Sequence, residues 1–339
     1  MTTLQILWFC IIGLLFAIFV FLEGFDFGVG MATRFLAKDQ DEQIAIQTSI
    51  GPHWDGNETW LVTAGGAMFA SIPMWYASLF SAYYYLLMLV LVSLIIRGVS
   101  FEFTKHAESK SGKNFWLWMF FIGSLCAPFL LVMMLTSMIQ GIPLNANGDA
   151  TGLHFFDVVN WLSIVGGVAG VLLSLVHGLN FIRLRMAGSL PERAKNLNKI
   201  LYPILFAGEV VFALLVIFQT DFFTKKLVSS LIITILIVLF SLLGYYGVLK
   251  DRAGWSFVGS GLSLSAVIVL IFNGMFPRVM ISTIKGNDIL LKNAANSQYT
   301  LTVMTIVACI LVPIVLIYFI WSYTLFTKKI NPKDNTVKY

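Results

Sequence analysis

The chain has 339 residues, of which 58% are hydrophobic and only 12% charged, and its mean hydropathy is +0.85. That balance excludes a soluble globular domain, in which about a quarter of the residues are charged, and points to a polytopic membrane protein. The formal net charge of +5 comes with no Lys/Arg block interleaved with aromatics, which argues against nucleic acid as a partner.

A hydrocarbon core of about 30 Å takes roughly 20 apolar residues at 1.5 Å each. In chain order, the first apolar run, 4–33, has no basic n-region and no small-residue cleavage site, so it reads as a retained span. Lys38 to Ile50 is polar with Ile44, Ala45, Ile46 and Ile50 interspersed, which predicts a short surface helix closed by Gly51-Pro52. Segment 54–71 is short and opens on acids; after it come 76–103, 115–140, 157–182, 199–219, 227–249, 255–275 and 300–326. The connections 141–156 and 276–299, rich in Asn, Gly and polar residues, are the sizeable exterior loops.

Charge decides whether 54–71 crosses, because basic residues mark the loops that stay in the cytoplasm. With nine spans and the N-terminus outside, sixteen of the 22 Lys and Arg lie inside, five (Lys225, Lys226, Arg278, Lys285, Lys292) lie outside, and Arg97 falls within a span. Leaving 54–71 out would put Arg34 and Lys38 on the face opposite Lys105, Lys110 and Lys113. The sequence therefore reads as an all-α polytopic membrane protein, nine transmembrane helices in a single membrane-embedded domain over 1–339, with its C-terminus in the cytoplasm. Gly166 and Gly170 have GxxxG spacing, which suits internal helix packing. Cys10, Cys126 and Cys309, isolated in apolar spans, read as buried apolar thiols.

Acids inside such a chain are functional-site hypotheses by default, because a carboxylate in hydrocarbon must be paired, hydrated or protonated. Glu23 and Asp26, and likewise Asp55 and Glu58, are three apart, so each pair is expected on one helix face. The topology puts all four acids in one depth band near the cytoplasmic side. Arg97 reaches the same band, and His177 is a second candidate to neutralise one of them. Two readings stand: a proton-uptake relay through the carboxylates, Asn57 and His177, and a static charge network that locks three helices together. Glu209, the acid nearest mid-membrane, is either a further relay member or a paired packing acid. Of the four histidines, His53 and His106 fall at the inner surface and His154 outside, so haem ligation by this chain alone is not expected. No metal-ligand spacing, phosphate loop or nucleophile elbow appears.

The stretches Phe21-Leu22-Glu23-Gly24-Phe25-Asp26-Phe27-Gly28-Val29-Gly30, Gly51-Pro52-His53-Trp54-Asp55-Gly56-Asn57-Glu58-Thr59-Trp60-Leu61 and Arg97-Gly98-Val99-Ser100-Phe101-Glu102-Phe103 resemble subunit II of the cytochrome bd quinol oxidases. The resemblance is carried by motifs over the first hundred residues and by span number, order and length beyond. It implies two four-helix bundles plus one peripheral helix, in a bacterial cell membrane. It implies an obligatory partner, subunit I, carrying haems b and d and the quinol-oxidising loop, and it allows a small single-helix subunit. In that family the complex oxidises quinol, reduces dioxygen to water and draws protons from the cytoplasm.

Carried over by motif, Asp55 matches a proton entry and Asp26 a second acid on that path, while Glu23, Asn57, Glu58 and Arg97 match supporting positions. Trp54 matches a region where some relatives lodge a quinone, here menaquinone or ubiquinone, with the compact loops suggesting menaquinol. The alternative class is a proton-coupled transporter or channel, since intramembrane acids with glycines also line ion pathways. A third reading is a purely structural subunit.

Overall fold

A computed structural model of the chain describes residues 1–153, 158–325 and 328–331; His154 lies outside them, as do Lys333 and Lys338 of the tail. The elements are α1 (Thr3–Phe35), α2 (Gln40–Ile50), α3 (Trp54–Ser71), α4 (Pro73–Ala82), α5 (Tyr84–His106), α6 (Lys110–Gln140), α7 (Trp161–Arg185), α8 (Leu190–Gln219), α9 (Phe222–Lys225), α10 (Leu227–Leu249), α11 (Ala253–Met275), β1 (Arg278–Met280), β2 (Ile289–Leu290), α12 (Leu291–Ala294) and α13 (Gln298–Leu325). The starts are written in the sequence. Thr2 with Gln5, and Asn160 with Ser163, form capping boxes at α1 and α7, Asp39 caps α2 and Ser109 caps α6. At the far end of α6, Gly141 takes φ +98° and turns the chain into the loop.

Eight of these helices, α1, α5, α6, α7, α8, α10, α11 and α13, are long and apolar enough to cross a membrane. The helix predicted from the interspersed isoleucines before Gly51-Pro52 is α2. The run expected as one span over 76–103 is instead divided into α4 and α5. Tyr83 leaves helical geometry there (φ −102°, ψ 23°), and its buried ring carries the hydroxyl to Ser137 Oγ of α6 at 3.3 Å. α8 starts at Leu190, well before the apolar run begins, because Pro191 and Glu192 suit a first turn. Cys10 and Cys309 are exposed on outward helix faces, not buried as expected.

Polar contacts sort the helix ends onto two sides. On one, Arg34 donates to the Asn114 carbonyl at 3.2 Å, Arg193 donates to the Leu36 carbonyl at 2.8 Å and pairs with Glu42, and Arg183 reaches Asp251 at 3.0 Å. Ile330 joins the same side, its N–H donating to the Arg185 carbonyl at 2.8 Å. On the other side, Ile142 N–H donates to the Ile281 carbonyl at 3.1 Å, tying together the two loops 141–156 and 276–299, beside the antiparallel pair β1–β2. α3 runs between the two sides. It starts beside α1 and ends at Ser71, whose carbonyl accepts from Asn296 N–H at 2.8 Å.

α1 is the central post, and its closest neighbour is α7. A Cβ added at Gly28 would lie 1.9 Å from the Ser174 carbonyl oxygen, and one at Gly178 would lie 2.3 Å from the Gly28 carbonyl carbon, so the two backbones touch. Gly166 and Gly170 face Thr136 and Val132 of α6, which makes the GxxxG spacing an internal contact. α13 stands apart: Leu301 is its one buried residue among those described, and Trp8 Nε1 holds its first turns through Thr305 Oγ1 at 3.0 Å.

Arg278 closes the loop side with two parallel 2.7 Å hydrogen bonds to Asp221, which also pairs with Lys225 at 2.6 Å. Partial burial by itself would raise the Asp221 carboxyl, but the hydrogen bonds from Arg278 and Lys225 outweigh it and hold the group at about 2, against 3.8 ordinarily. A depressed carboxyl adds stability above its unfolded value and loses it as pH falls through the folded one. Asp221→Asn is therefore expected to lower the thermal unfolding temperature at neutral pH. The gap to the parent protein should close between about pH 4 and pH 2, followed by scanning fluorimetry in detergent.

Candidate functional site

The acids singled out by the sequence converge on Arg97. Its side chain, fully buried on α5, pairs with Glu23 of α1 and with Glu58 of α3 at 2.6 Å, and its guanidinium carbon lies 4.8 Å from the Phe27 ring centroid. Gly123 of α6 makes room for it, since a Cβ there would meet the Arg97 Cβ at 2.9 Å. One turn along α1, Asp26 Oδ2 accepts a 2.7 Å hydrogen bond from Asn57 Nδ2. The side-chain Oδ1 of Asn57 in turn accepts from the Tyr323 hydroxyl of α13 at 2.7 Å, and the His53 ring stacks on Tyr323 at 4.1 Å with planes 5° apart. Three helices and the peripheral α13 thus meet in one buried polar cluster. Asp26 Oδ1, Glu23 Oε2, and Nε and Nη1 of Arg97 are buried there without a hydrogen-bond partner.

The expectation that Asp55 and Glu58 point one way is not met. The buried stripe of α3 is Asn57, Trp60, Ala64 and Met68, at helical spacing, and it faces α1. At 100° per residue Asp55 sits about 200° from Asn57, and it is exposed. Glu58 lies nearer the stripe, and its longer side chain carries the carboxylate back to Arg97. Trp54 stacks on Phe101 at 4.8 Å with planes 7° apart, over Gly98, where a Cβ would meet the Trp54 ring at 3.2 Å.

His177 does not join the acids. Its Nδ1 engages Ser260 Oγ at 2.8 Å and its Nε2 the Phe21 carbonyl at 2.9 Å, in a separate polar group with Asn180, Asn198 and Tyr202. Both ring nitrogens are thus committed. His106 is exposed on α5 with Nδ1 at 2.8 Å from the Glu102 carbonyl, and His53 is stacked on Tyr323. With both of its ring nitrogens engaged inside the protein, the His177 imidazole is not placed as a haem ligand. Among the described residues no cluster of His, Cys, Asp and Glu has metal-holding geometry.

Sequence reasoning missed Tyr323 and the shelves at Gly98 and Gly123. Tyr323 stands in the aromatic run Tyr318, Phe319, Trp321, which reads as an interfacial belt, and nothing local marks it as a partner of Asn57. The glycines carry no side-chain signal at all.

Removing one partner of a buried ion pair leaves an uncompensated charge, at a cost of about 3–5 kcal/mol. Arg97→Ala is thus expected to abolish accumulation of folded protein, with partial recovery in the double variant Arg97→Ala/Glu23→Gln; detergent size-exclusion yield reads both. Tyr323→Phe deletes one hydrogen bond with little change of shape. Its expected loss is about 1 kcal/mol, seen as a small drop in unfolding temperature and faster proteolysis of α13.

Comparison with known proteins bears on what this cluster belongs to. Residues 4–326 match the family model described as cytochrome bd terminal oxidase subunit II. The chain is 40% identical over 335 residues to the Bacillus subtilis protein named cytochrome bd ubiquinol oxidase subunit 2, covering 98% of this chain and 99% of that one. It is 33% identical over 365 residues to cytochrome bd-I ubiquinol oxidase subunit 2 of Escherichia coli K12, covering 98% and 96%. Among solved structures it resembles a chain of the bd oxidase from Geobacillus thermodenitrificans, with a TM-score of 0.73, 18% identity and coverage of 96% and 100%, a likeness of fold. With the family model spanning nearly the whole sequence and relatives aligned end to end, the chain belongs to the cytochrome bd terminal oxidase subunit II family.

Proposed function

We propose that this chain is the non-haem subunit of a quinol:oxygen oxidoreductase, that it scaffolds a haem-bearing subunit I, and that it carries protons from the cytoplasm to the subunit interface. Haems b and d belong to the partner in this reading, consistent with the His177 imidazole being engaged at both nitrogens inside this chain. The layout is nine crossings in a bacterial cell membrane with α3 as the ninth. The N-terminus is outside and the side rich in Lys and Arg faces the cytoplasm. α1, α3, α5 and α6 make one four-helix bundle, α7, α8, α10 and α11 the other, and α13 is the peripheral helix, in a single membrane-embedded domain. A small single-helix subunit fits as a further partner.

The observation that carries the proton role is the charge balance of the cluster. One guanidinium serves Glu23, Glu58 and the nearby Asp26. Burying the excess as ionised carboxylates would cost several kcal/mol per ion, so the cluster takes up protons. Asp26 is the acid placed to exchange them: it makes no hydrogen bond to Arg97, Asn57 donates to one of its oxygens, and no amide or guanidinium donor reaches the other. Asp55, exposed on the far face of the same helix turn, collects protons at the entrance, and water between the two completes the path. Glu23, Glu58 and Arg97 hold the entrance in shape. Trp54, stacked on Phe101 beside Asp55, offers an aromatic face to a quinone ring, menaquinone or ubiquinone.

A positioned proton carrier contributes on the order of a hundredfold to a rate it limits. Asp55→Asn and Asp26→Asn are each expected to slow quinol-driven oxygen consumption by about that factor while the haem absorption spectrum of the purified complex is preserved. Full turnover in both variants would remove the relay. Loss of haem together with turnover would make the acids a structural lock.

A further inference from the structure

Glu209 is absorbed neither by the Arg97 cluster nor by the proton role assigned to it. It sits on α8 against Ser241 of α10, whose hydroxyl hydrogen bonds to Glu209 Oε1 and lies 2.9 Å from the hydroxyl of Ser263 on α11. Ser263 is the eleventh of the 23 residues of α11, so the group lies about 15 Å from either helix end, at half depth. The expectation of a paired packing acid is not met: among the described residues no Lys, Arg or His forms an ion pair with Glu209. The second carboxyl oxygen, Oε2, is buried with no hydrogen-bond partner.

Glu209 also lines a cavity of about 310 Å³ whose other walls, apart from Thr234, are apolar, including Val20, Leu205 and Leu264. Val210, Leu214 and Val238 line it too and are exposed, so its mouth lies between α8 and α10 on the outer surface of the helix bundle. A lone carboxylate at that depth, with no cation and one orphaned oxygen, is strongly disfavoured, whereas a neutral carboxyl donates its O–H into the row Ser241, Ser263.

We propose that Glu209, with Ser241 and Ser263, is a proton-binding site in the middle of the bilayer, separate from the Arg97 cluster and open to lipid-soluble reagents through the cavity. The class of small molecule it takes is a hydrophobic carbodiimide. The carboxyl proton moves to a carbodiimide nitrogen, the carboxyl oxygen bonds to the central carbon, and the acyl group then migrates from oxygen to nitrogen to leave a stable N-acylurea. The addition turns the first C=N bond into a single bond; the migration breaks the acyl C–O bond, forms an acyl C–N bond and turns the second C=N bond single as the central carbon becomes a urea carbonyl, so nothing is oxidised or reduced. The site does not depend on the Asp55 and Asp26 path, so either can fail alone.

The test treats the purified complex in detergent with dicyclohexylcarbodiimide and, in parallel, with a water-soluble carbodiimide, and maps adducts by peptide mass spectrometry. The expected result is an N-acylurea on Glu209 from the hydrophobic reagent, little from the water-soluble one, and loss of the adduct in Glu209→Gln. No adduct on Glu209 in the parent protein overturns the proposal. Equal labelling by both reagents overturns the lipid-side opening and makes Glu209 a water-accessible acid.

Discussion

The fold of this chain is organised around one buried guanidinium. Arg97 cannot reach water, so its charge has to be met inside the protein, and Glu23 and Glu58 meet it from two other helices. In a lipid solvent helices gain little from hydrophobic contact with one another, so a pairing of this kind fixes which faces of α1, α3 and α5 turn inward. α3 shows this most clearly. It is the least apolar of the long helices, yet it packs along α1 because Asn57 and Glu58 carry its first turn into the cluster.

The same interaction sets the boundary between chemistry and scaffold. Arg97 engages two carboxyls by direct pairing and leaves Asp26 to an amide, and an amide-held acid can change its protonation without breaking an ion pair. Asn57 is held in turn by Tyr323, so the peripheral α13, which buries little of its own surface, has one end tied to the orientation of the group beside Asp26. In the second polar group, His177 with Asn180, Asn198, Tyr202 and Ser260, both ring nitrogens of His177 are engaged within the protein and Asn180 bridges Tyr202, Ser260 and Asn198. It reads as glue between α7, α8 and α11, and that contrast is why the acids and not the histidine carry the proposed transfer.

The loop side depends on a different kind of contact. Arg278 and Asp221 form a bidentate pair near water, and the strand and bridge contacts around Ile142 and Ile281 satisfy backbone groups that would otherwise face the headgroup region. These hydrogen bonds work beside apolar burial, since Ile142, Leu144, Met280, Ile281 and Ile289 of the same segments are buried in the hydrophobic core.

The apolar runs alone were enough to locate the eight long helices, because the requirement to satisfy every backbone group in hydrocarbon leaves helix as the choice. Motif and charge alone placed Glu23, Asp26, Asn57, Glu58 and Arg97 together, since an acid in such a run needs a partner and Arg97 is the one cation within a span. Tertiary structure decided the rest. On α3, Asp55 and Glu58 lie only about 60° apart, yet Glu58, nearer the buried stripe, reaches back to Arg97 while Asp55 stays exposed; the break at Tyr83 divides an unbroken apolar run, and His177 turns to Ser260 and the Phe21 carbonyl instead of the acids. Tyr323 reaches Asn57 across 266 residues of chain. A one-dimensional pattern records which groups must be paired, but which of several possible partners each one meets is set by helix rotation and packing, and those exist only once the helices are assembled.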